Sequence, residues 1–188
     1  GHAPEGIGFE ICDEVTVEDC VIEGCRLGFH SGSGSLKMVA RRNKITRNHF
    51  GAYLCWGIQQ GLMEDNDMSD NRTYGLSIGF HDSHNVIRNN RLRGNADVGV
   101  VFRGAHFPCQ SPVDDNLTGN VIEDNGPAGA PLGIHVDYHA DDIRITGNTI
   151  TDTRGGSGGV GVKIEGSVKG VTLSDNRIEG FEQQVLDL

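Results

Sequence analysis

Arg103, His135, Asp137 and His139 are the residues of this chain whose chemistries fit together best. A guanidinium holds a carboxylate through two parallel N–H bonds. An imidazole moves a proton near neutral pH, and a carboxylate beside it orients the ring. Such a set suits removal of a proton from a carbon next to a carboxylate, with Arg103 on the carboxylate and His135 and Asp137 on the proton. Tyr53, His81 and Asp82 are further acid–base candidates, and His30, His106, His139, Lys163 and Glu165 are further contacts for a substrate. Asp137 and Glu165 also read as a carboxylate pair, which inverting hydrolysis would want about 6.5–9.5 Å apart. His30, His81, His135 and His139 invite a metal, but no His or Cys spacing matches a zinc motif. No cofactor is required by this reading, and calcium or another divalent ion has no motif to support it.

These residues lie far apart in sequence, so only a repeat can bring them together. Gly6, Gly28, Gly51, Gly75, Gly99, Gly133 and Gly161 each open an apolar-alternating segment, at spacings of 22, 23, 24, 24, 34 and 28 residues. After each comes an Asn-x-apolar-x-x-Asn box, such as Asn66-Asp-Met68-Ser-Asp-Asn71 and Asn90-Arg-Leu92-Arg-Gly-Asn95. The box weakens at Asn148 to Thr153 and Asn176 to Phe181, and Cys20 and Cys25 take both Asn places in the first repeat. A period of 20 to 30 residues carrying short strands is a solenoid pattern. Alternation at period 2 marks strands with one buried face. Pieces of three to five residues can wind as a coil, each pairing in parallel with its equivalent one turn later, about 4.8 Å along the axis. Outward positions then stack in columns: Gly8, His30, Tyr53, Ser77, Val101, His135, Lys163 beside Glu10, Gly32, Cys55, Gly79, Arg103, Asp137, Glu165. This arithmetic puts Arg103 one turn from Asp137, with the segment Arg103 to Asp114, carrying His106, Phe107 and Cys109, as the wall of a cleft.

The Asn boxes have a physical reason in such a coil. Bends between strands leave backbone groups that must find partners inside. Asn carries both donor and acceptor and tolerates left-handed backbone angles. Stacked Asn side chains therefore form a ladder, predicted to be buried at Asn66 and Asn90. Cys20 and Cys25 are expected as core fillers, with Cys12, Cys55 and Cys109 on the surface.

Over residues 6 to 181 this pattern resembles the right-handed parallel β-helix superfamily of pectate-lyase-like proteins. The resemblance implies an all-β, single-stranded parallel β-helix of about seven turns with an internal Asn ladder. It also implies a polysaccharide or oligosaccharide partner and action of lyase or C5-epimerase type. A non-catalytic carbohydrate-binding or structural module is the alternative, because one architecture hosts many functions. Tyr74-Gly75 followed by His81-Asp82-Ser83 looks like the Tyr-Gly…Asp-Pro-His-Asp motif of mannuronan epimerases. It departs from that motif in having Ile78-Gly79-Phe80 before the His. An extracellular or periplasmic place rests on the resemblance alone.

Residues 1–188 read as one domain, without a linker or break in the repeat. Members of the superfamily usually plug the open end of the coil with a helix, for which there is no room before Gly6. The chain thus reads as a segment of a longer β-helix, and self-association through its ends is expected. A net charge of −10 argues against nucleic acid, which needs clustered cations. No apolar run approaches a membrane span.

Overall fold

A computed structural model describes residues 3–105, 111–155 and 158–188. Every pairing between its strands is parallel, and each strand pairs with its equivalents one turn before and after. The coil has three faces. The first is an eight-stranded sheet running from Ala3–Glu10 through Tyr74–Ile78 and Leu132–Val136 to Gln183–Asp187. The second has seven strands, from Thr16–Glu18 to Thr172–Ser174. The third comprises a pair and a set of four strands, joined by bridges from Lys44 to Asp67 and from Asp67 to Arg91. The architecture is the expected parallel β-helix of about seven turns. Among the described residues, no helix is long and apolar enough to cross a membrane.

Inward positions supply one continuous core. Phe29, Leu54, Leu76, Ile78, Val100, Phe102, Ile134 and Val136 come from the first sheet, with Ile87, Leu92, Leu117, Ile122, Ile145 and Ile150 from the other two. The Asn ladder is buried as expected and is double. In one column Asn43, Asn66, Asn90, Asn120, Asn148 and Asn176 run turn on turn, and in the other Asn48, Asn71, Asn95 and Asn125. Each Oδ1 accepts the backbone N–H of the preceding rung, and each Nδ2 donates to a carbonyl of the preceding turn, as in Asn90 to Met63 O at 2.9 Å. The decay read at Asn148 and Asn176 affects only the second column. The backbones of Cys20 and Cys25 donate to Asn43 and Asn48, so both cysteines sit on the ladder. Cys25 is buried and Cys20 half-buried, whereas Cys55 is buried rather than on the surface.

The strand-opening glycines are a steric requirement of the same packing. A Cβ on Gly51 would lie 2.2 Å from the Gly75 carbonyl oxygen and 2.8 Å from Asn71 Nδ2. Gly51→Ala is therefore expected to destabilise by about 1–3 kcal/mol, the usual cost of overpacking. A methyl group added at Gly129 would have no neighbour within 4 Å among the described residues, so this position should accept Ala without loss. Urea unfolding midpoints of the two variants measure the contrast.

The irregular spacings have a local origin. The wide interval from Gly99 to Gly133 comes from a longer stretch between Phe102 and the bridge at Val113, and from extra residues at 126–131. The interval from Gly133 to Gly161 is lengthened between Thr153 and Val160. Ladder and strands keep their register across all of these.

Candidate functional site

The first sheet holds the outward columns in the predicted register. Gly8 pairs with His30, His30 with Tyr53, Tyr53 with Ser77, Ser77 with Val101, Val101 with His135, and His135 with Lys163. Parallel register fixes where each side chain leaves the backbone, and neighbours decide where it goes next.

Arg103 shows the difference. It folds back towards the start of the chain instead of lying against Asp137. Its Nε donates to Ser77 Oγ, one terminal nitrogen donates to the Tyr53 hydroxyl at 2.7 Å, and the other to the Leu54 carbonyl at 2.8 Å. The guanidinium carbon lies 4.1 Å from the Tyr53 ring centroid, a cation–π contact. Gly79 permits this path, because a Cβ there would meet Arg103 at 2.4 Å. The expected convergence of Arg103 with His135 and Asp137 is thus corrected. The aromatic ring, hydroxyl and carbonyl on the earlier turns offer Arg103 more partners than the one carboxylate on the following turn.

Tyr53 lines an open groove of about 510 Å³ together with Glu10, Arg26, His30, Phe50, Cys55, Trp56 and Tyr74, among others. His30 stands edge-on to Tyr53, with ring centroids 5.8 Å apart, and its Nδ1 lies 3.1 Å from Glu5 Oε1. Phe50 stacks on Tyr74 at 5.0 Å, and Trp56 on Phe80 at 5.1 Å. Burial pushes the phenols of Tyr53 and Tyr74 up, against the pull of the Arg103 charge. Both therefore stay protonated at neutral pH. Burial likewise raises the Cys55 thiol, which keeps it from being a ready nucleophile.

The remaining candidates fall in other places. His135 and Asp137 on the turn after Arg103 gather with Lys163 and Glu165 on the turn after that. There His135 Nε2 lies 3.0 Å from Glu165 Oε1, and Lys163 Nζ lies 2.6 Å from the same oxygen. Lys163 first, then His135, holds the Glu165 carboxyl below its ordinary value. His81 is exposed on a bend at φ 61°, and His139 is half-exposed on another at φ 56°.

Asp82 is fully buried, which removes it as a partner of His81 in surface chemistry. It accepts the backbone N–H groups of Gly57, Ile58 and Gly79 at 2.8–3.0 Å and pins the bend between the first and second sheets. His106, with Phe107 and Cys109, lies outside the described residues.

Phe50, Tyr74, Trp56 and Glu5 were not legible as site residues. Phe50 and Tyr74 immediately precede the strand-opening glycines, where an apolar residue reads as core. The signal that could have found them is the register itself, which places Leu27, Phe50, Tyr74 and Val98 in one column.

The family model of the right-handed β-helix region matches residues 2–150. The chain belongs to the right-handed β-helix family. Among curated proteins, no sequence is similar enough to count as a match. Two solved β-helices resemble the chain in structure. One is the A-module of the mannuronan C-5 epimerase AlgE6 of Azotobacter vinelandii, at TM-score 0.60 and 18% identity, over 93% of this chain and 61% of that one. The other is PfbA, a surface adhesin of Streptococcus pneumoniae, at TM-score 0.60 and 14% identity, over 92% of this chain and 46% of that one. This β-helix chain spans less than two thirds of either, and at such identities the likeness is one of fold.

Proposed function

We propose that this β-helix protein binds a polysaccharide along the outer face of its first sheet and moves a proton on a uronate residue held at Tyr53. The observation that carries this reading is the Tyr53 hydroxyl, which accepts from the Arg103 guanidinium and stands beside His30 in a groove walled by aromatic rings. Flat rings such as Phe50 and Tyr74 offer the apolar surface on which a sugar packs. Arg103 has five N–H groups, of which three are engaged here, so it can still meet a carboxylate. In this reading the His30 imidazole, held by Glu5, takes the proton from the carbon bearing the carboxylate. The protonated Tyr53 phenol then gives one, either to the leaving glycosidic oxygen or back to the same carbon. The first outcome is a lyase reaction and the second an epimerisation. Similarity in fold to a mannuronan epimerase module agrees with this choice of substrate class.

A binding role without chemistry is the second reading, favoured by the exposed Trp56, which lines the groove and stacks on Phe80. The two separate in one experiment. The chain is incubated with a panel of uronate polysaccharides, following absorbance of new unsaturated ends and inversion at C5 by proton NMR. Tyr53→Phe should keep binding and lower turnover about 10²–10⁴-fold, as loss of a proton-transfer group does. Binding to the panel with neither product from the unaltered chain would leave the binding module as the answer.

A further inference from the structure

We propose that His135, Asp137 and Glu165 form a binding site for one zinc-class transition-metal ion, on the first sheet but away from the aromatic groove. Each residue offers one ligand atom, and these atoms all lie within 4.8 Å of one another. The His135 Nε2 to Glu165 Oε1 separation of 3.0 Å already approaches that of neighbouring ligands around a tetrahedral ion with bonds of about 2.0–2.2 Å. Small rotamer changes at Asp137 close the remainder. One Asp137 oxygen accepts the Tyr138 N–H at 2.9 Å, which orients the carboxylate and leaves the other oxygen available.

Charge and backbone favour the same assignment. Because Arg103 folds back over Gly79, no guanidinium neutralises Asp137 from the turn before. Two carboxylates and a neutral imidazole carry a charge that a divalent cation cancels. The imidazole selects zinc, nickel or copper over calcium and magnesium, which prefer shells of oxygen. All three side chains project from strand positions or the residue just beyond, with Asp137 N–H bonded to Phe102 O and Glu165 N–H to Val136 O, each at 3.0 Å. Little backbone ordering is then needed on binding.

The site already attracts a cation. Lys163 Nζ sits 2.6 Å from Glu165 Oε1, as a tethered ammonium where the ion would bind. It must swing out for the metal to enter, so Lys163 acts as a built-in competitor. This gives the proposal a signature that an adventitious surface histidine lacks.

The test titrates the full chain with zinc in a calorimeter and with cobalt by visible absorption. One ion per chain is expected, with the absorption of tetrahedral cobalt. His135→Ala and Glu165→Gln should each weaken binding by about tenfold or more, since even outer-shell losses cost that much. Lys163→Met should tighten it. Absence of zinc uptake, uptake unchanged in His135→Ala, or affinity unaltered in Lys163→Met would each overturn the assignment. If a variant unfolds, broadening of the His135 ring resonances by cobalt in the unaltered chain decides the question instead.

Discussion

Replacing Asn90 with Leu is expected to cost the coil several kcal/mol, more than any exposed substitution in the chain. Asn90 Oδ1 accepts both the backbone N–H and the Nδ2 of Asn66, each at 2.9 Å. Its own Nδ2 donates to Met63 O and to Asn120 Oδ1. Leucine is of similar size and supplies none of these bonds. It strands the buried Asn66 amide and weakens three more pairings, at about 1–3 kcal/mol for each group left without a partner. Domains of this size are stable by only about 5–15 kcal/mol, so the variant should unfold at much lower urea. Asn90→Asp keeps the acceptor and loses the donors, and should fall between. A loss under about 1 kcal/mol for Asn90→Leu, at unchanged urea dependence, would show that the ladder does not hold the turns together.

The same substitution at two buried aspartates should act in opposite directions. Asp82 uses both oxygens, Oδ1 for the Gly57 and Ile58 amides and Oδ2 for that of Gly79. Asn in its place must point an NH₂ at one of these donors, and above about pH 7, where the carboxylate is ionised, Asp82→Asn should cost about 1–3 kcal/mol. Asp115 is also buried, but Oδ1 accepts the Asn85 N–H while Oδ2 has no partner among the described residues. Asn there can donate to the turn before, as Asn85 and Asn120 do to Ile58 and Ile87, and Asp115→Asn should stabilise.

The pH dependence follows from the same burial. Desolvation raises Asp82 to about 7 against its three amide donors, and Asp115 to about 8 with fewer to oppose it. In the unfolded chain both sit near 3.8. Native values are therefore above unfolded ones, so the contribution of each group is complete below about pH 4 and is lost as pH rises to 7 or 8. The slope is about 1.4 kcal/mol per pH unit for each group. Asp115→Asn should remove its share of that slope, and unfolding measured from about pH 4 to 8 reads it directly. A slope identical to that of the unaltered chain would mean that Asp115 is ionised in the native state.

The coil was legible because its requirements repeat. Glycine opens each strand where a Cβ would strike the next turn, and Asn returns where a bend needs donor and acceptor together. Such requirements recur at every turn and so rise above the background of a single sequence. The outward columns were legible for the same reason, since register is set by backbone pairing. Side-chain direction was not. Arg103 chose between Asp137 on the following turn and Tyr53, Ser77 and Leu54 on preceding ones, and that choice depends on Gly79 leaving room. Asp82 failed as a surface group because an aspartate beside a histidine reads as chemistry, whereas an Asp at a tight bend also caps amides. Phe50 and Tyr74 were hidden because apolar residues beside a core strand look like core.

The longer stretches near Val113, at 126–131 and before Val160 imply that this molecule can be opened without being undone. Each interrupts the path between faces and leaves the first Asn column and the parallel strand pairs in place. Extending a flexible connection grows costly only with the logarithm of its length. A foreign peptide, or even a break in the chain, placed at exposed Gly129 therefore meets a rod whose halves remain clamped across a full turn. Such positions are natural sockets, where sequence can be gained between generations while the spacing of everything above and below stays fixed.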